Sequence, residues 1–406
     1  MALHVQSRGI TLTELGLSTF TELLGSNTSA FIQEDQGLIG WGEALRISAK
    51  GPNRIQDVDS QWQETVQQAT IENASNLRGS GLVAFGTISF ADESETESTL
   101  VIPNLVIGCF EDQYWITLIN IDEVEALKLI NTEKPVSSIE FKPGTITPET
   151  FESNVVDALI AINENNIEKV VLARDLVAEA KNFNPNSGLY KLTKKYQTCY
   201  TYLVDGMFGA SPELLVRVEN KIVQARVLAG TAGRGTDPEV DKAIGQALLS
   251  SHKNRAEHKF AIDSLTKSME SLCKEISFSA EPFSLALPNL WHLATDVEAE
   301  IKATTTSLQL LSHLHPSAAV AGTPRLEALK LIQSIEQIDR GRYAGPVGWL
   351  SADGDGTWAI ALRGAQYKDS TIRAFAGCGI VSESDPQAEL AETNLKFKPI
   401  VEALTS

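Results

Sequence analysis

The chain contains no uninterrupted apolar run approaching eighteen residues, and its first residues, "MALHVQSRGITLTELG", lack a basic segment followed by an apolar one. Neither a membrane span nor a secretory signal is therefore expected, and the cytoplasm is the expected compartment. Cysteine is scarce and scattered: Cys109, Cys199, Cys273 and Cys378 form no CxxC pair. That excludes a zinc knuckle and a disulfide scaffold, and leaves buried free thiols as the expected state. Positive charge is also in short supply, with 34 Lys+Arg against 52 Asp+Glu and a formal net charge of -18. Such a balance argues against a nucleic-acid polyanion or an anionic membrane surface as the main partner. A small anionic substrate stays compatible with it where a metal or local cations reverse the field. Internal repeats, heptads and low-complexity linkers are missing too. So are Walker A, GxGxxG and HExxH sequences and a recognisable catalytic triad.

What is present is an ordinary globular composition, 43% apolar and 21% charged over 406 residues. Proline and glycine are spread along the chain, so a single integrated domain over 1–406 is expected, with 1–150 as a sheet scaffold and 151–406 as a part in which helices and strands mix. Strand-like runs such as "LVAFGTISF" and "YWITLINI" alternate with acidic turns in the first part. Beyond residue 150, "PETFESNVVDALIAINENN" has helical spacing behind the cap pair Thr147-Pro148, and a strand, "KVVLARDLVAEA", follows it. The pattern over 238–276 predicts the longest helix, broken near Ser250 to Asn254, and "PRLEALKLIQSIEQID" predicts another. From Tyr343 to Val381 the spacing predicts three strands joined by Gly/Asp turns. The class that follows is α+β, with large mainly antiparallel sheets flanked by helices.

Several residues offer chemistry. Glu389 and Glu392, three apart in "PQAELAETNLK", would share one face of a helix, a hard-metal pattern that Glu257 on the long helix would complete. Two solvated helix-face acids would give the same spacing. Lys253, Arg255, His258 and Lys259 surround Glu257 and read either as helix-surface cations or, for some of them, as charges that steer the substrate. In "GASPELLVR", Glu213 stands where an apolar strand begins; half buried, it would have a raised pKa and serve as a general acid, and exposed it would be an ordinary first-turn glutamate. Lys169 opens the strand "KVVLAR" and is either an edge residue or, facing inward, a base lowered from about 10.4. "ARVLAGTAGRG" reads as a glycine-rich turn after a strand, with amides for an oxyanion. Arg363, read as mid-strand in "AIALRGA", calls for an anion. The histidines, His292 and His315 among them, read as core residues or as residues that support a site from behind.

The order of these segments is more specific than any one of them. "KVVLAR", "GASPELL", "LAGTAGRG", "NRAEH", "LHPSAAVAGTPR", "YAGPVGW", "ALRGA" and "GCGIVSESDPQAELAETNLK" together resemble the chorismate-utilising enzymes, a family that includes isochorismate synthase, salicylate synthase and the large subunit of anthranilate synthase. The resemblance covers roughly 150–406 and is diffuse before that. It implies a Mg²⁺ cofactor held by Glu257 and Glu392, with Glu389 supporting it through water. The other supporting acid of the family is Asn254 here, which removes one charge. The resemblance further implies that Tyr343 and Arg363 hold the enolpyruvyl carboxylate, that the amides near Gly377 and Gly379 form a cradle for it, that Gly230 and Thr231 line the ring, and that Lys396 stands near the metal.

Three positions choose among the activities that the resemblance allows. Lys169 stands where aminating members have Gln, and Ala229 where a covalent intermediate would need Lys. Ala319 stands where many pyruvate-eliminating members have Thr. These imply an isomerase, isochorismate synthase, in which Lys169 activates a water at C2 of chorismate and Glu213 protonates the departing C4 hydroxyl. Salicylate synthase and a non-catalytic Mg²⁺-binding relative are the alternatives. No amidotransferase partner is expected, since the chain has no recognisable glutaminase segment.

Overall fold

A computed structural model of the chain describes residues 2–135, 138–164, 167–286, 290–302 and 305–405; the side chains of Lys253 and Glu257 also lie outside the described residues. Short turns that suit antiparallel pairing recur along the sequence. In Asp205-Gly206, between the strands Tyr200–Val204 and Met207–Ser211, both residues have positive φ, 48° and 75°. That is the backbone a two-residue hairpin needs to match the strand twist. Asn220-Lys221 repeats the device between Leu214–Glu219 and Ile222–Gly233.

The strands assemble into a thirteen-stranded and a ten-stranded sheet, and strands from before and after residue 150 stand in both. Among the described residues, only His4–Ile10 with Thr70–Asn73 pairs in parallel. The sheets face each other through a buried layer that includes Phe31 and Trp115 of the larger sheet and Phe85 and Trp349 of the smaller. Burial of such large rings stabilises the fold by roughly 25 cal/mol per Å² of apolar area removed from water. All four cysteines are free and buried. No described helix is long and apolar enough to cross a membrane.

Side chains cap the starts of several helices. Pro148–Glu164 starts behind Thr147, whose Oγ1 accepts from the Thr150 amide at 3.3 Å. The long helical pattern divides at Ser251 into Pro238–Ser250 and His252–Met269. Ser251 has an extended backbone, and its side chain accepts from the Asn254 amide, so it ends one helix and caps the next. The last helix, Pro386–Leu404, begins with Asp385 accepting from the Ala388 amide at 2.9 Å and a proline in the first turn.

Two expectations are corrected. The segment from Tyr343 to Val381 forms four strands rather than three: Pro346–Ser351, Gly356–Ile360, Gly364–Lys368 and Thr371–Ile380. The first two belong to the smaller sheet and the last two to the larger, so the chain crosses between sheets at residues 361–363. Arg363 sits in that crossover with φ 52°, not in mid-strand. An arginine held in left-handed backbone costs about 1–2 kcal/mol, so the surroundings impose this turn. The supposed turn in "ARVLAGTAGRG" is likewise a strand, Ile222–Gly233, which continues past a register shift between Leu228 and Thr231. A bulge re-aims side chains without ending the strand.

Candidate active site

The two places where the chain passes between the sheets lie on one cavity. Ser211-Pro212-Glu213 leads from Met207–Ser211 of the larger sheet to Leu214–Glu219 of the smaller, and residues 361–363 lead back. Reciprocal backbone bonds pin the second crossover to the Tyr343 segment: Ala344 N donates to Ala361 O at 3.0 Å, and Ala361 N to Gly345 O at 2.7 Å. Glu213, Tyr343 and Arg363 consequently face the same space, a cavity of about 460 Å³. That volume lies within the range of small-molecule sites, roughly 300–1,000 Å³.

The same cavity is lined by Lys169, Gly230, Thr231, Ala319, Gly377, Gly379, Glu389, Glu392 and Lys396, together with Ala229 and Asn254. These are all the singled-out site residues except Glu257, whose place in the helix His252–Met269 is described while its side chain is not. Pairing within the larger sheet explains part of the convergence. Lys169–Glu179 runs antiparallel to Thr371–Ile380, setting Val171 opposite Gly379 and Ala173 opposite Gly377. A Cβ on Gly379 would come within 2.5 Å of Lys169 Cε, and one on Gly377 within 3.2 Å of the Tyr343 hydroxyl. Both glycines clear room for cavity side chains.

The electrostatics divide the site in two. Lys396 Nζ donates to Gly377 O at 2.8 Å and pairs with Glu392 at 2.6 Å. Burial pushes the Glu392 carboxyl up, but Lys396, Arg363 and His292 outweigh it and hold it below its ordinary value. One helical turn away, burial holds Glu389 above its ordinary value, although Ser384 Oγ donates to it at 2.7 Å. Across the cavity, burial pushes Glu213 up to about 7 against the opposing pull of Arg363, Lys169 and Lys396. Its carboxyl is thus a proton donor near neutral pH. Tyr343 stacks on Phe375 with ring centroids 5.0 Å apart, and burial pushes its phenol up to about 12, so it stays a neutral hydrogen-bond donor.

Some lining residues were not read as site residues. His292, expected in the core, is 8% exposed and lines the cavity. It shares a 3.0 Å hydrogen bond with Thr231 Oγ1, and burial, with Arg363 and Lys396 nearby, pushes its imidazole down to about 3. Arg340 also reaches the lining; it is buried with Glu336 and donates to the Val171 and Val320 carbonyls, at 2.7 and 3.2 Å. The strand pattern around His292 marks only an inward polar residue, and nothing local marks Arg340. His258, expected as a surface cation, is 1% exposed. Its ring nitrogens meet Ala229 O and Thr295 Oγ1, so it fastens its helix to two strands.

Glu389 and Glu392 offer hard oxygen atoms one helical turn apart in one cavity, the donor type that Mg²⁺ takes, while among the described residues no three His, Cys, Asp or Glu side chains converge as a metal site.

Comparison with known proteins bears on the whole arrangement. The chain is 29% identical over 400 residues to the isochorismate synthase MenF of Bacillus subtilis, covering 90% of this chain and 85% of that one. It is 33% identical over 259 residues to the isochorismate synthase EntC of Escherichia coli K12, covering 62% and 66%. The solved structure of the menaquinone-specific isochorismate synthase MenF of Escherichia coli superposes with a TM-score of 0.82 at 21% identity, over 100% of this chain and 95% of that one, which establishes the shared fold. The model of the chorismate binding enzyme family matches residues 17–405, and the chain belongs to that family.

Proposed function

We propose that the protein is an isochorismate synthase, converting chorismate to isochorismate with Mg²⁺ as its cofactor. The observation that carries this reading is a base and an acid on one cavity: Lys169 and Glu213 both line it, and Glu213 is pushed up to about 7. The isomerisation needs that pair. Lys169 takes a proton from a water that attacks C2 of the ring. Both ring double bonds shift by one position, the C4–O bond breaks, and Glu213 gives its proton to the departing hydroxyl, which leaves as water. Holding nucleophile, ring and leaving group in one site removes most of the entropic barrier.

Arg363 and Tyr343 would hold the enolpyruvyl carboxylate, with the amides near Gly377 and Gly379 completing the cradle. Lys396 would keep Glu392 ionised, and Gly230 and Thr231 would border the ring. Glu257 and Glu392 would bind Mg²⁺ with support from Glu389, and the ion would supply positive charge to the ring carboxylate. The small side chain of Ala319 beside the ring and the lysine at 169 support hydroxyl exchange over pyruvate elimination and amination. Relatives named isochorismate synthase that align over most of the chain support the same activity.

The test is incubation of the purified protein with chorismate and Mg²⁺, with an EDTA control, and separation of products by chromatography and mass spectrometry. Isochorismate alone is expected. Salicylate with pyruvate, or full activity in both Lys169→Ala and Glu213→Gln, would overturn the reading.

A further inference from the structure

Glu213 borders not one cavity but two. The second, about 350 Å³, lies between the helix His252–Met269 and the segment 314–319, and shares Glu213, Leu228 and Ala319 with the first. Its lining also includes Ser264 and Lys267, both exposed, so the cavity reaches from solvent to Glu213.

The proposed reaction makes such a passage useful. One water is consumed at C2 and one is released at C4, on the side of Glu213. Each turnover leaves Glu213 as a carboxylate and Lys169 as an ammonium, so a proton must return to Glu213 from solvent before the next. With the ring filling the first cavity, the substrate stands between Glu213 and the mouth through which it came. We propose that the second cavity is a separate water passage, which releases the C4-derived water and reloads Glu213 with its proton. The inference rests on the isochorismate synthase reading, and it assigns a role to a cavity that meets the substrate cavity only at Glu213, Leu228 and Ala319.

A reversible plug tests it. The native cysteines are all buried, so Ser264→Cys supplies an accessible thiol in the exposed part of the lining. Asp263→Cys, exposed on the adjacent position and outside the cavity lining, is the control. Each variant is treated with methanethiosulfonates of increasing size, assayed for isochorismate formation, and then reduced. For labelled Ser264→Cys, kcat is expected to fall about tenfold with the bulkiest reagent. The fall should grade with reagent size, leave KM for chorismate and the midpoint of the pH profile unchanged, and reverse on reduction. Labelled Asp263→Cys should keep full turnover. Unchanged kcat in plugged Ser264→Cys would overturn the passage. So would an equal loss in labelled Asp263→Cys, or a loss accompanied by a shifted KM or pH midpoint, which would mean distortion of the site. Failure of the unlabelled protein to form isochorismate would instead reject the function on which the passage depends.

Discussion

Lys169 and Gly379 occupy neighbouring strands so closely that a Cβ on the glycine would lie 2.5 Å from Cε of the lysine and 3.2 Å from its Nζ. Gly379→Ala must therefore push the lysine aside, and the far end of a flexible side chain moves cheaply. Fold stability should change by less than about 1 kcal/mol while turnover falls about a hundredfold, since displacing a catalytic group by about 1 Å costs that much. Urea unfolding and a chorismate assay on the same sample check the two halves.

The raised carboxyl of Glu213 gives a pH dependence with a definite sign. Its ordinary value is 4.5 and its value in the fold about 7. The acid is protonated and active below about 7, so kcat/KM should decline as pH rises through it. The folded state also binds the proton more tightly than the unfolded one, so stability present below 4.5 is lost as pH rises to about 7. Glu213→Gln removes that loss. The variant should be about 10²–10⁴-fold less active, yet melt a few degrees higher than the parent at pH 8 and not at pH 4. Equal melting shifts at both pH values would refute the assignment.

Arg363 sets function against backbone comfort. At φ 52° an L side chain is strained, and glycine is not. Arg363→Gly should hold or raise the melting temperature, while KM for chorismate rises at least about tenfold through loss of a charge-assisted carboxylate contact. Arg363→Ala should raise KM similarly but melt no higher than the parent.

Metal should be needed for turnover and not for folding, because its proposed ligands line a cavity while the sheets close on a separate packed apolar layer. EDTA is expected to abolish isochorismate formation with little change in the circular dichroism spectrum, and added Mg²⁺ to restore it. Glu389→Gln should weaken Mg²⁺ binding about ten- to hundredfold in calorimetry without substrate, as loss of an outer supporting carboxylate does.

Much of this protein was legible in one dimension because local physics decides local structure. Helical spacing and cap residues located Pro148–Glu164, the divided pair around Ser251 and Arg325–Glu336 to within a few residues. Alternation and turn residues located the strand Lys169–Glu179, and with it the antiparallel class. The order of short segments, each weak alone, pointed to the family, and the residues named from it line one cavity wherever their side chains are described.

Other features depend on partners far away in sequence. The pattern around "AIALRGA" is that of a continuous strand. Only the requirement that the chain leave one sheet and join the other turns Arg363 into left-handed backbone and aims it at the cavity. Burial of His258 and His292 follows from a helix and strands contributed by separate parts of the chain, which no local pattern encodes. The raised pKa of Glu213 has the same origin. The residue type and its place before a strand were set by sequence, whereas the desolvation that makes it an acid near neutrality exists only after the two sheets close around it.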